Sequence, residues 1–428
     1  MNGAMFPATM ALLLAGLIVA GVPVSAGAQS VDLGASVESL LDYARVRNPE
    51  LATTRYEADA AAQRVQPAGA LADPLLRVEL EDINRSGSVP GIGQLPNRIG
   101  AAKYTLMQPL PAWGKRDLRR DVATADAAQA GARAAVTWIE LAARIKTTYA
   151  RYYLAAGTER LTLEIVDLNS RLAQVAQARY AGGLATQQDA IRAQVEETAL
   201  RSELIALDSE KRQLRARLNA LLARDSSAAL AEPKVLRPLP ALAVLDAVSI
   251  AQRARAVNPS LQVEEARLRA AERNRELTLR NRYPDFLVGV SPTQTGARIS
   301  SWGVMVEMNI PLQQTSRRSQ ESEAEALVGA ARSRAQAVAN TLLGDLAENL
   351  AGVDAARRAE ALTTTTLLPQ SELSLRSSLA AYENGRVDFT TLLEAQRQIR
   401  KARQELLKAQ VDARLRLFEV ERILGEDL

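Results

Sequence analysis

Ala44-Arg45-Val46-Arg47-Asn48-Pro49-Glu50-Leu51 returns as Ala254-Arg255-Ala256-Val257-Asn258-Pro259-Ser260-Leu261, an offset of 210. Pro74 and Val78 return as Pro284 and Val288 at that same offset. Further along the offset is 202: Pro109-Leu110 returns as Pro311-Leu312, Lys115-Arg116 as Arg317-Arg318, and Tyr180, Gly183, Ala193 and Gln194 as Tyr382, Gly385, Ala395 and Gln396. The change falls between residues 78 and 109, so one loop is shorter in the second copy. Chance similarity in an Ala/Arg-rich chain does not account for ordered matches of Pro, Gly, Tyr and Asn. The chain is a duplication. We divide it into a leader, 1–28, a first copy, 29–230, and a second copy, 231–428, with the Pro-containing stretch Asp225–Pro240 as the link.

Each copy runs through the same order of periods. A helical stretch comes first, Ser36 to about Gln66 and Leu245 to about Asn281. Two alternating stretches follow. Leu76, Val78 and Leu80 alternate with Arg77, Glu79 and Glu81, and a second strand covers about Ala101–Pro109 beyond a Gly/Pro/Ser-rich loop, Asn84–Gly100. In the second copy Phe286, Val288 and Val290 share one face, and Trp302, Val304, Val306, Met308 and Ile310 another, opposite Met305, Glu307 and Asn309. Period two with one apolar and one polar face is the signature of a strand. Each copy then ends in a long helical hairpin. Arg116 to Arg179 contains no Pro, and as one helix it would span about 96 Å. Leu392, Ala395, Ile399, Ala402, Leu406, Ala409, Ala413, Leu417, Val420 and Leu424 recur at spacings of three and four, a coiled-coil seam in which Ala permits close helix approach.

The composition excludes much chemistry. The 428 residues include no His and no Cys. There is no Ser-His-Asp or Cys-His triad, no Cys/His metal centre and no disulfide. Carboxylate or Lys chemistry stays possible, but helical hairpins with Ala seams offer no pocket for a carboxylate pair, so we expect no enzyme and no cofactor. The chain is 47% hydrophobic but 4% aromatic, which makes its apolar surface mainly Ala and Leu. A net charge of +4 over this length does not argue for a nucleic-acid partner. Gly91-x-Gly93 has no βαβ context and Gly114-Lys115 no Walker frame, so neither motif points to nucleotide binding.

Residues 1–28 form a predicted secretory leader: an apolar run Ala11–Ala20, then Ala26-Gly27-Ala28 as an A-x-A cleavage site. No Cys follows the cleavage site, so no lipid anchor is expected, and no later run of about 18 apolar residues offers a membrane helix. Exported strands with one apolar and one charged face suggest an outer-membrane β-barrel. Four strands do not close a barrel, since about eight is the smallest number seen. The chain would have to oligomerise, three copies giving twelve strands. Patterning alone leaves this open against two hairpins packed on a soluble helical body.

Tyr180-Ala181-Gly182-Gly183-Leu184, with Asp189 and Ala193-Gln194 behind it, resembles the first hairpin tip of the TolC family of outer-membrane efflux proteins. Ala381-Tyr382-Glu383-Asn384-Gly385, Leu392-Leu393-Glu394-Ala395-Gln396 and Glu421-Arg422-Ile423-Leu424-Gly425 resemble the second hairpin and tail, and Asn48-Pro49-x-Leu51 and Asn258-Pro259-x-Leu261 the opening helices. The resemblance covers essentially the whole mature chain. It implies a mainly α fold with a small β part: a homotrimer whose twelve-stranded barrel in outer-membrane lipid continues as an α-helical barrel across the periplasm. Gln108-Pro109-Leu110-Pro111-Ala112-Trp113-Gly114-Lys115-Arg116 is similar to the heavy-metal branch typified by CzcC. The function implied is a passive exit duct in a tripartite efflux system, fed by a periplasmic adaptor and an inner-membrane pump of RND type. Drug efflux or type I secretion by the same family is the alternative, and a soluble periplasmic coiled-coil scaffold the alternative of another class.

The resemblance also assigns residues. Gly182, Gly183, Leu184, Gly385, Arg386 and Val387 fall at the hairpin tips where an adaptor docks, and Leu184, Arg386 and Val387 would be exposed contacts. Asp189 and Tyr382 match a polar link that holds the periplasmic gate closed; Glu394 matches one acidic pore position, while Thr391 stands at the other, with Asp388 a rival nearby. Three symmetry-related carboxylates at an axis would attract cations and repel anions. For Glu394 a solvated helix face explains the charge equally well. A solvated face is likewise the default for Lys115, Arg116, Arg119, Arg120, Arg317 and Arg318. Met107, Met305 and Met308, the only mature methionines, are expected to pack strands rather than to converge on a soft metal. Tyr104, Trp113 and Trp302 flank the strands as interface aromatics, with core packing a rival for Trp113.

Overall fold

The computed structural model describes residues 33–81 and 100–428; the leader, nearly all of the Asn84–Gly100 loop and its Gly91-x-Gly93 lie outside the described residues. The first copy contains α1 (Val37–Arg47), α2 (Pro49–Gln63), α3 (Val65–Gly69), β1 (Leu75–Glu81), β2 (Ala101–Leu110), α4 (Lys115–Ala181) and α5 (Gln187–Leu221). The second contains α6 (Ala247–Val257), α7 (Pro259–Arg280), β3 (Phe286–Thr295), β4 (Arg298–Met308), α8 (Gln314–Leu362), α9 (Leu368–Glu383) and α10 (Phe389–Leu424). The 67 residues of α4 make one helix about 100 Å long. Its counterpart is broken by a π turn, Thr363–Leu367, before α9. Pro369 follows that turn, and a residue without an N–H is a standard cause of a widened ladder.

The Asn-Pro-x-Leu motif starts a helix in both copies by the same means. Asn48 Oδ1 accepts from the Glu50 and Leu51 amides, while its Nδ2 donates to Leu221 O at 2.7 Å. Asn258 Oδ1 accepts from the Leu261 amide at 3.0 Å, and its Nδ2 donates to Ile423 O. Each Asn thus caps one helix and ties it to the end of its own hairpin, and the Pro occupies the first helical position. The motif Leu then enters a core. Leu40, Ala44, Leu51, Ile145, Leu218 and Leu222 pack in the first copy, and Ile250, Ala254, Leu261, Leu346, Val420 and Leu424 in the second.

The strands form one antiparallel sheet in the order β1-β2-β3-β4, and among the described residues both outer edges are unpaired. Leu76, Leu106, Val290 and Val304 lie in one cross-strand row, and all four are exposed. Phe286, Trp302, Val306 and Met308 extend the same apolar face. The opposite face carries Arg77, Glu79, Lys103, Thr105, Thr293 and Ser301. Below the sheet α2, α4, α7 and α8 lie side by side, and further down α5, α4, α10 and α9 do so. Among the described residues no helix is long and apolar enough to cross a membrane.

Two expectations change at the junction of sheet and helices. Lys115 is buried, not on a solvated face: its Nζ donates to Asp285 Oδ1 at 2.8 Å and to Tyr283 O at 3.1 Å, clasping the start of α4 to the entry of β3. Trp113 is 94% exposed, which rules out the core role. The link between copies has no helix or strand before a short 3-10 turn at Leu242–Leu245. Tyr149, on α4, donates to both Ala35 O and Val235 O, tying the link to the start of the chain, and burial with the nearby Glu38 charge pushes its hydroxyl up to about 12.

Candidate functional site

The candidate site is the end of the molecule opposite the sheet, where α4 turns into α5 and α9 into α10. Both turns close in the same way. Gly183 and Gly385 have φ of +72° and +69°. The Leu184 amide reaches back to Arg179 O at 2.8 Å and the Arg386 amide to Ala381 O at 2.8 Å. The Gly183 and Gly385 amides donate to Tyr180 O and Tyr382 O, so two carbonyls at the end of each helix are capped, an arrangement open to Gly because a Cβ disfavours positive φ. Gly182 is the C-cap just before the first turn. Leu184 and Arg386 are exposed; Val387 differs from expectation, being half-buried against the core formed by Leu172, Tyr382, Phe389 and Leu392.

Tyr382 stands at the centre of this end. It is buried, its ring 5.6 Å from Phe389 in an edge-on arrangement and 5.0 Å below the Arg179 guanidinium. Burial, followed by the charge of Asp189, raises the pKa of its hydroxyl. The charge of Asp189 acts on Tyr382, but no hydrogen bond joins the two, and the Tyr382 hydroxyl is buried without a hydrogen-bond partner. Thr391 is occupied locally: its amide and hydroxyl both donate to Asp388, at 2.9 and 2.7 Å. Asp388 is the N-cap of α10, and these bonds hold its carboxyl below the usual range. Glu394 points outward on α10, and within the chain its charge acts on Arg397.

The residues that join the two hairpins escaped the sequence reading. Arg179 donates to Glu383 O at 2.6 Å and to Leu184 O at 3.3 Å, linking both tips. Arg192 donates to Thr390. Buried Glu196 accepts from Arg397 at 2.5 Å, and Glu203 from Arg400 at 2.9 Å. A signal for these pairs was present. The hairpins lie side by side in parallel, so positions separated by roughly the repeat offset become neighbours, and complementary charges at 196 and 397 mark one contact.

Among the described residues no group of three or more carboxylates is placed to hold a metal ion.

The Outer membrane efflux protein family matches residues 40–224 and 250–426, one segment in each copy. The chain is 24% identical over 397 residues to the cobalt-zinc-cadmium resistance protein CzcC of Cupriavidus metallidurans, covering 91% of this chain and 90% of that protein. Its fold is similar to that of the outer membrane protein VceC of Vibrio cholerae, with a TM-score of 0.78 and 17% identity over 91% of this chain and 96% of VceC. It is likewise similar to CusC, with a TM-score of 0.76 and 17% identity over 91% of this chain and 92% of that one. Two matched segments spanning most of the chain, on a duplicated sheet-and-hairpin fold, make this protein a member of the outer membrane efflux protein family.

Proposed function

We propose that three copies of the chain form a passive outer-membrane exit duct of a tripartite efflux system, with heavy-metal cations as cargo. One observation carries the assembly: a four-stranded sheet with both edges unpaired among the described residues, and an outward apolar row. Unpaired edges and lipid are incompatible, and closing the sheet with further copies satisfies both at once. The metal assignment draws support from the likeness to a cobalt-zinc-cadmium resistance protein over nine-tenths of both chains. The leader, residues 1–28, would deliver the chain to the outer membrane. The tips around Gly182, Gly183, Leu184, Gly385, Arg386 and half-buried Val387 would meet a periplasmic adaptor, itself joined to an inner-membrane RND pump. Asp189 and Tyr382 would hold the gate, with Thr391 and Glu394 near the pore.

Deletion of the gene, followed by growth on zinc, cobalt, cadmium, copper and a drug panel, tests the cargo. Sensitivity to metals is expected, and sensitivity to organic drugs alone would overturn the metal assignment. Recovery of the protein as a soluble periplasmic monomer would overturn the duct.

A further inference from the structure

Met107 of β2 is paired with Gly289 of β3, and Gly289 with Met305 of β4. Direct cross-strand partners share a face, so the two methionines flank one glycine in a single row. That row begins at Leu75 and lies on the face opposite Leu106, Val290 and Val304, between a row with Arg77, Thr105 and Ser291 and a row with Pro109, Leu287 and Glu307. A Cβ on Gly289 would stand 3.0 Å from Met107 Cγ and 3.4 Å from Met305 Cε. Both of those carbons are bonded directly to sulfur, so the two thioethers reach over the same glycine from opposite sides. Met107 is buried and Met305 half-buried, which leaves the pair open on one side. The expectation that the mature methionines do not converge therefore holds only for Met308, on the other face.

Packing alone is a poor account of this row. A strand interior favours β-branched residues, and glycine there weakens the strand. Gly289 provides room between two soft, flexible side chains on a face that carries Leu75, Pro109 and Leu287 beside Arg77, Thr105, Ser291 and Glu307. Thioether sulfur selects Cu(I)-like cations over hard ones. The chain holds no Cys or His to compete for such an ion. We propose that Met107 and Met305 form a two-thioether site for a soft monovalent cation, Cu(I) or Ag(I), one per chain. The placement of this site on the inner wall of a barrel rests on the duct reading; the pairing of the sulfurs does not. Met107 sits three residues from Leu110, the helix-side end of β2, about 10 Å into the sheet. A cation leaving the helical part of the duct would meet the pair on entering the barrel. Two neutral ligands hold weakly enough to release it.

Calorimetric titration of the full-length protein in detergent with Ag(I) tests the site. Wild type is expected to bind one Ag(I) per chain, with sulfur neighbours in X-ray absorption and no displacement by zinc. The double variant Met107→Leu/Met305→Leu keeps the volume and should bind at least tenfold more weakly, while Met308→Leu should bind like wild type. If the double variant does not assemble, Met305→Leu alone carries the same tenfold criterion. Unchanged Ag(I) binding in the Leu variants, or no binding in wild type, overturns the proposal. The growth assay separates the two readings. Metal sensitivity on deletion with unchanged silver binding in the Leu variants sinks the site alone. Loss of binding in those variants without metal sensitivity on deletion sinks the cargo assignment alone.

Discussion

Lys146 and Glu421, on helices from different copies, form an ion pair 2.6 Å long with both side chains buried. Arg237, from the link, reaches Glu421 at 3.2 Å, and Asp427 from the tail also pairs with Lys146. Removing one member of a buried pair leaves an uncompensated charge. Lys146→Met is expected to destabilise the chain by about 3 kcal/mol, the low end for such a loss because Arg237 still reaches Glu421. Lys146→Met/Glu421→Leu should recover most of that loss. Thermal melts followed by circular dichroism check both, and equal melting of single and double variants would refute the argument.

Asp427 gives the same cluster an acid limit. Burial pushes its carboxyl up, but the hydrogen bond and charge of Lys146, with Arg237, more than offset this and hold it below 3.8. A depressed folded value stabilises the fold above the unfolded value, and that contribution disappears as pH falls through the folded one. Wild-type stability should therefore drop below about pH 4, and Asp427→Asn should flatten that part of the curve. The same acid slope in wild type and variant would remove Asp427 from it.

Tyr382 predicts the opposite limit at the tips. Its folded pKa is raised above 10, so the unfolded hydroxyl ionises first and stability falls as pH rises beyond that value. Channel conductance in planar bilayers should increase over the same alkaline range and should not do so in Tyr382→Phe. Arg179→Ala, which removes bonds to both tips and the cation over the Tyr382 ring, should raise conductance already at neutral pH. Conductance that ignores both changes would exclude this end as the gate.

Gly183 has open space where a Cβ would go, so only its backbone resists substitution. Gly183→Ala should cost about 1 kcal/mol, confined to the tip. Faster hydrogen exchange of the Leu184 amide, with the melting temperature unchanged, is the expected record.

Gln396 is fully buried, and neither polar atom of its amide has a partner. Gln396→Met keeps the length, removes the unsatisfied amide and should stabilise the chain by about 1 kcal/mol. A loss of stability would refute the argument.

What the sequence determined by itself is local and repeated. The doubled Asn-Pro-x-Leu motif, the alternating strands, the Ala seams and the two glycine turns need near neighbours in the chain, and physical period reveals them. Asn48 and Asn258 show how far this goes: the repeated motif marks an opening helix in each copy, while the bond from each Asn to the far end of its hairpin is not legible there. Tertiary structure alone decided which side chains from the two copies meet. It put Glu196 beside Arg397, buried Lys115 on Asp285, and left the buried Tyr382 hydroxyl without a partner. It also brought Met107 and Met305 over Gly289, from positions nearly two hundred residues apart. Sheet register and the side-by-side packing of the hairpins arise from burying many small apolar contacts together, and no single stretch of sequence encodes that sum.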